Sequence, residues 1–270
     1  NGQNFTTATT AYNVAVGHAA GTSVTTGTSN TFLGALCGDT TNDGTGNTGV
    51  GESALGANCG DSNTAVGQVC LESVTGSDNT GIGAGAGNSI NSGSNNTVVG
   101  HDAGRSGSPG GNITTGSNII ALGDENVANA HIQVDWTVAS DERDKTDFAD
   151  LDLGLDFVKA LEPVTYYWDK RSKYGDKTAE DYDLEAQTPD GTHKEDWMDI
   201  GFKAQSVQAL EEAAGYTASA KKNLTVSTSD DGKQMGLQYS KFVPILVKAV
   251  QELSAQVTAL QAEVNTLKGG

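Results

Sequence analysis

The chain has 270 residues, 16 basic against 34 acidic, for a net charge of −18. That balance excludes nucleic acid and an anionic membrane surface as partners, because both are bound by positive charge that displaces counterions. No apolar run approaches the roughly 18 residues needed to span a bilayer, and 3 cysteines, an odd number, do not make a disulfide framework.

Composition divides the chain sharply. Residues 1–139 hold 26 of the 35 glycines and one basic residue, Arg105, against 10 acidic ones. Residues 140–270 hold the other 15 basic residues and 24 acidic ones. We place a domain boundary at the switch, giving a repeat region at 1–139 and a different domain at 140–270. The chain opens at Asn1 rather than Met and shows no secretory leader, so it reads as a soluble piece of something longer.

The first part is a repeat. Asn recurs at 13, 30, 47, 63, 79, 96 and 118, each opening Asn-x-x-aliphatic-Gly, with one extra residue in the last copy. The aliphatic column reads Val16, Leu33, Val50, Val66, Ile82, Val99 and Leu122; a second, small-residue column reads Ala20, Cys37, Ala54, Cys70, Ala86 and Ala103. A short β-prone triplet between glycine turns cannot bury its apolar residue alone. Stacking coil on coil creates a continuous core, which predicts an all-β parallel β-roll or solenoid. The recurrent Gly supplies positive φ at tight corners, and the small column suggests close approach of two backbones or two subunits.

Cys37 and Cys70 replace Ala in that column and read as inert core thiols; Cys59 lies between columns without an explanation. His18 and His101 follow the repeat Gly, where a trimer would bring three imidazoles together, but a hydrogen-bonded or solvated His is the simpler reading and no metal is expected. The Ser/Thr/Asn/Asp loops serve either as a surface for a host receptor or glycan, or as solvated turns. A junction strand is expected at about 130–139.

Beyond Ser140, Leu151 to Leu161 is apolar at near-helical spacing and ends at Pro163. Val164 to Trp168 is a strand by composition, and 169–196 reads as a charged insertion. Asp199 to Phe202 leads into a helix from Ala204 to Ala214 closed by Gly215. Residues 224–238 suggest a hairpin turning at Asp231-Gly232. Leu246, Val250, Leu253, Val257, Leu260, Val264 and Leu267 alternate steps of four and three, a heptad seam on a coiled-coil helix over about 240–268. The Val/Leu alternation leans toward two strands; the repeat argues for three, and we follow the repeat.

Asn13-Val-Ala-Val-Gly17 and Asn63-Thr-Ala-Val-Gly67 resemble the head repeat of trimeric autotransporter adhesins, a parallel β-roll of three chains, with a repeat here two or three residues longer. The second half resembles the C-terminal intramolecular chaperone of phage endosialidases and tail fibres, the peptidase S74 family. The match is carried by Ser140-Asp-Glu-Arg-Asp-Lys145, Glu162-Pro-Val-Thr-Tyr-Tyr-Trp168, Asp199-Ile-Gly-Phe-Lys-Ala-Gln205 and Tyr239 through Leu260. The resemblance implies an α+β chaperone domain in a homotrimeric fibre, folded in the host cytoplasm and carried on the virion. It also implies self-cleavage between Ala139 and Ser140, with Ser140 and Lys145 as the catalytic pair.

The residues suit that chemistry. A serine hydroxyl needs a base near neutral pH, and Ser140 reaches the carbonyl of Ala139 through a five-membered ring, converting amide to ester before hydrolysis. Lys145 serves as base only when neutral, a form favoured by burial or nearby positive charge. Arg143 is a candidate for that charge or for holding the oxyanion. The bland alternative is that Ser140 merely caps a helix; at the level of the whole protein it is a non-cleaving trimeric adhesin with a permanent C-terminal cap. No other catalytic constellation, zinc spacing or phosphate loop stands out, so no cofactor is expected.

Overall fold

The computed structural model describes residues 11–177, 179, 181–217 and 224–269. It divides into two compact units. The first joins Asn1–Asn129 with Asp169–Glu195 and Thr228–Gln234; the second comprises Ala130–Trp168, Asp196–Ser227 and Met235–Gly270. Two segments that follow Ser140 in sequence therefore pack with the repeat.

The repeat is a parallel β-solenoid of seven three-residue strands: β1 (Val14–Val16), β2 (Thr31–Leu33), β3 (Thr48–Val50), β4 (Thr64–Val66), β5 (Thr80–Ile82), β6 (Thr97–Val99) and β7 (Ile120–Leu122). Each pairs in register with the next, so equivalent residues stack, as in Val16 on Leu33 and Leu33 on Val50. The stacking is tight at the corner glycines. A Cβ on Gly34, whose φ is +144°, would lie 2.2 Å from the carbonyl oxygen of Gly51, so both space and backbone angle require glycine there.

The sheet faces the opposite way from the expectation for its aliphatic column. The middle residue of each strand points inward: Phe32, Ala65 and Val98 are fully buried. The column Val16, Leu33, Val66, Ile82, Val99 and Leu122 lies outside, with Leu33 at 48 % and Ile82 at 45 % exposure. The middle position escapes notice in sequence because it is Gly in β3 and β5. A Cβ on Gly49 would meet Cys37 Sγ at 2.5 Å, and one on Gly81 would meet Cys70 Sγ at 2.6 Å, so the missing side chains make room for their neighbours.

The small column is core rather than interface: Ala20, Cys37, Ala54, Cys70, Ala86 and Ala103 are fully buried. A third inward set, Val24, Thr41, Cys59, Val74, Ile90 and Ile113, accounts for Cys59, whose thiol lies 3.1 Å from Thr41 Oγ1.

The repeat asparagines form a buried ladder. Asn30 Oδ1 accepts the N–H of Asn47 at 2.8 Å, Asn47 Oδ1 that of Asn63 at 2.8 Å, and Asn63 Oδ1 that of Asn79 at 3.0 Å. Most of their amide groups donate onward, Asn79 Nδ2 to Gly93 O and Asn96 Nδ2 to Gly116 O, each at 2.9 Å, while Asn47 Nδ2 is buried without a partner. These amides thus satisfy main-chain groups that would otherwise be buried without partners. Asn118 is not a rung. It sits at positive φ beside Asn95, whose Nδ2 donates to it at 2.7 Å, and Ile119 occupies the ladder position, its N–H donating to Asn96 Oδ1 at 3.0 Å. The extra residue of the last copy therefore precedes the rung.

The second unit is α+β. Helix α1 (Leu155–Ala160) precedes β8 (Val164–Tyr166), which pairs antiparallel with β9 (Asp199–Gly201). Helix α2 (Ala204–Ala213) ends at Gly215, whose φ is +86°. Strands β10 (Val226–Thr228) and β11 (Met235–Leu237) form the hairpin, and α3 (Phe242–Gly269) follows a short 3-10 turn at Tyr239–Lys241. Leu153, Phe157, Val207, Val226, Phe242 and Ile245 make the core. The N-terminus of α1 lacks a side-chain cap of its own; Glu252 of α3 supplies it, accepting the Leu155 N–H at 2.7 Å.

Candidate functional site

Residues Glu142–Asp144 form a single 3-10 turn. Asp141 caps it, accepting the Arg143 N–H at 2.9 Å, so the capping role considered for Ser140 belongs to its neighbour. The Ser140 hydroxyl is left for another partner. The turn folds Lys145 back over Ser140, and Lys145 Nζ lies 2.6 Å from Ser140 Oγ and 3.4 Å from the Ser140 carbonyl oxygen. The amine and the hydroxyl are thus within hydrogen-bond distance across five residues of sequence, the spacing that proton transfer between them would need.

Asp141 does a second job. It binds Arg143 through two hydrogen bonds, Nε to Oδ1 at 3.0 Å and Nη2 to Oδ2 at 2.6 Å. The pairing holds the Asp141 carboxyl below its usual range and pushes the guanidinium up. Arg143, a candidate for oxyanion binding or for tuning Lys145, is committed to this carboxylate. An Asp two residues before an Arg is the sequence signal for the pair.

Ala139, Ser140 and Lys145 are all exposed, as is every residue from 130 to 150. Residues 130–139, expected as a junction strand, have no regular structure, yet Ile132, Val134, Trp136 and Val138 alternate with polar neighbours and are 51–75 % exposed. Strand chemistry is present without a partner strand in the single chain.

The heptad seam lies on one continuous helix, as its spacing predicts. Leu246, Val250, Leu253, Val257, Leu260, Val264 and Leu267 are all exposed, Val264 least at 41 % and Leu267 most at 82 %. Phe242, Ile245 and Ala249 on the same helix are buried in the second unit. The seam is therefore not the face that α3 uses to pack on its own domain.

Other chemistry-bearing residues sit apart from the dyad. Burial pushes the Cys37 and Cys70 thiols up to about 11 and raises Cys59 as well, and all three are free. His101 Nδ1 lies 3.6 Å from Asp124 and 3.7 Å from Asp102. Among the described residues no group of His, Cys, Asp or Glu is arranged to hold a metal, and no helix is long and apolar enough to cross a membrane.

With this geometry in place, comparison with known families gives a match. Residues 140–216 fit the family model Peptidase_S74, chaperone of endosialidase. The matched segment begins at the serine of the dyad and includes Lys145, α1, β8, β9 and α2. No curated protein and no solved structure matches the chain. The match supports a tail-fibre-type intramolecular chaperone and, as that family implies in general, self-cleaving peptidase activity.

Proposed function

We propose that the chain is the C-terminal part of a phage tail fibre or tailspike, in which 140–270 drives trimerisation and folding of 1–139 and is then released by a cut between Ala139 and Ser140. The observation that carries this reading is the 2.6 Å pairing of Lys145 Nζ with Ser140 Oγ at the first residue of the matched segment. Neutral Lys145 takes the hydroxyl proton as Oγ attacks the Ala139 carbonyl carbon. The tetrahedral intermediate collapses by breaking the Ala139–Ser140 C–N bond, and the proton passes to the departing Ser140 amine. Water then hydrolyses the ester, leaving a carboxylate on Ala139 and restoring the Ser140 hydroxyl. Each site works once, because its substrate is its own peptide bond.

Homotrimerisation supplies what the exposed dyad lacks. Two apolar ladders support it, the outward column of the solenoid and the seam of α3, since contiguous exposed apolar surface marks association. Burying the dyad between chains favours neutral Lys145, and a trimer would cover the strand-like 130–139. Arg143 would act on the oxyanion once drawn from Asp141. The loops of the repeat would face a host receptor or glycan, placing the finished fibre on the virion.

The test is a denaturing gel with N-terminal sequencing. Wild type should yield pieces of 139 and 131 residues from this chain, the smaller beginning at Ser140, while Ser140→Ala stays whole. A cut at Ala139 in Ser140→Ala overturns the mechanism. The exposure of the dyad also suits a surface turn in a non-cleaving adhesin with a permanent cap, the reading that stands if wild type remains whole in an assembled trimer.

A further inference from the structure

Within the solenoid, main-chain N–H groups of one coil are satisfied by the next. The N–H groups of Thr25 and Gly27 share the carbonyl oxygen of Asn42, and those of Thr75 and Gly76 share that of Asn91. The N–H of Asn91 in turn donates to Thr114 O at 2.8 Å, which makes Thr114 the equivalent residue of the last coil. That coil has no successor. Instead the N–H groups of Thr114 and Gly116 share one oxygen, Asp230 Oδ2, at 3.3 and 3.0 Å, and the Asn112 N–H donates to Asp231 Oδ2 at 3.0 Å.

The fit is close. A Cβ on Gly116 would lie 2.7 Å from Asp230 Oδ1, and one on Gly111 would lie 2.5 Å from Ser229 Cβ. The hairpin tip is itself braced: Arg171 Nη2 donates to Lys233 O at 2.7 Å, and Lys233 Nζ meets Asp183 at 2.6 Å. From that same insertion, Lys170 Nζ donates to Glu125 O at 2.9 Å, Lys177 pairs with the Glu125 carboxylate, and Ser172 is buried.

We propose that the hairpin tip Ser229–Lys233, braced by 169–195, is a surrogate coil that terminates the solenoid, with the Asp230 carboxylate standing in for the main-chain carbonyl of the missing turn. The chemistry is specific: a carboxylate oxygen is a stronger acceptor than a peptide carbonyl, and it satisfies two amides without a continuing strand. The cap holds in the uncut chain; departure of 140–270 after the proposed cut would leave these three N–H groups open to pair with another chain.

The experiment is hydrogen exchange on the full-length Ser140→Ala chain, which remains a single molecule whether or not wild type cuts itself, so the result is independent of the cleavage reading. Asp230→Ala with Asp231→Ala should speed exchange at Asn112, Thr114 and Gly116 about tenfold or more, while the ladder amides of Asn47 and Asn63 stay protected. Asp230→Asn, which keeps an acceptor oxygen, should restore protection at Thr114 and Gly116. Unchanged exchange in the double alanine variant overturns the proposal. So does equal loss of protection with Asp230→Asn, or loss spread equally through every coil in all variants.

Discussion

Lys145 Nζ and Ser140 Oγ stand 2.6 Å apart at the exposed edge of a one-turn 3-10 helix. The pairing is therefore built by local sequence, because the turn capped by Asp141 is sufficient to bring the two side chains of the proposed dyad together. What the turn cannot supply is a dry environment. Lys145→Ala should accordingly slow the cut by about 10² to 10⁴, the range for loss of a general base. Time-resolved gels of Lys145→Ala and Lys145→Arg would check this, with both slow if proton acceptance is the role.

Assembly should control chemistry. Leu253→Asp or Val257→Asp places charge in the seam of α3, where both residues are already exposed in the single chain, so the fold of each domain should survive. On the proposed trimeric assembly, sedimentation should show single chains in place of trimers, and the Ala139–Ser140 bond should remain intact. A seam variant that stays monomeric and still cuts at the normal rate would separate cleavage from assembly.

The asparagine ladder predicts position-dependent stability. Asn79→Ala leaves the Asn96 N–H and the Gly93 carbonyl without partners, at a cost of about 1–3 kcal/mol for each buried group. Asn118→Ala, exposed and outside the ladder, should cost only about 1 kcal/mol, the strain of placing alanine at a positive φ. Denaturant midpoints of the two variants make the comparison.

Acid should loosen the cap. Burial alone would push the Asp231 carboxyl up, but hydrogen bonds from the Ser229 hydroxyl and from the Lys233 and Asn112 N–H groups, with the charge of Lys233, hold it below its ordinary value. A lowered folded-state value contributes stability that is present above the unfolded value and lost as pH falls through the folded one. Exchange at Asn112 should thus be flat near neutral pH and, after correction for intrinsic rates, rise as pH falls through the lowered folded-state value; in Asp231→Asn that rise should vanish.

Thiol chemistry should report folding. With Cys37 and Cys70 pushed to about 11 and all three thiols buried, alkylation at pH 8 should be negligible in the native protein. In denaturant, mass spectrometry should count 3 labels.

Much of this was legible in the chain. Repeat spacing located the first six strands, Gly215 and Asp231-Gly232 marked a helix end and a hairpin, and the four-three alternation located α3. Periodicity identifies equivalent residues, but in a three-residue strand it does not say which side faces in. Gly49 and Gly81 at the inward position hid the core, and Val16 and its equivalents stood out because they are apolar and outside. The role of Asn needed the coil above it to be visible. Asp231 reads only as a turn residue, and the role of Asp230 does not show, because the N–H groups that donate to them lie more than 110 positions away.

The corner glycines and the ladder also bear on how such a rod can change over generations. Every rung must meet the next in register, and each corner passes within van der Waals distance of the next. A deletion of a few residues inside a strand would misalign all the rungs beyond it. The last coil carries its additional residues before Ile119, and its rung still meets Asn96. Inheritance can therefore add or remove whole coils and vary loop length freely, while the terminating surface stays the same: a rod of any number of turns presents one end to one unchanging cap.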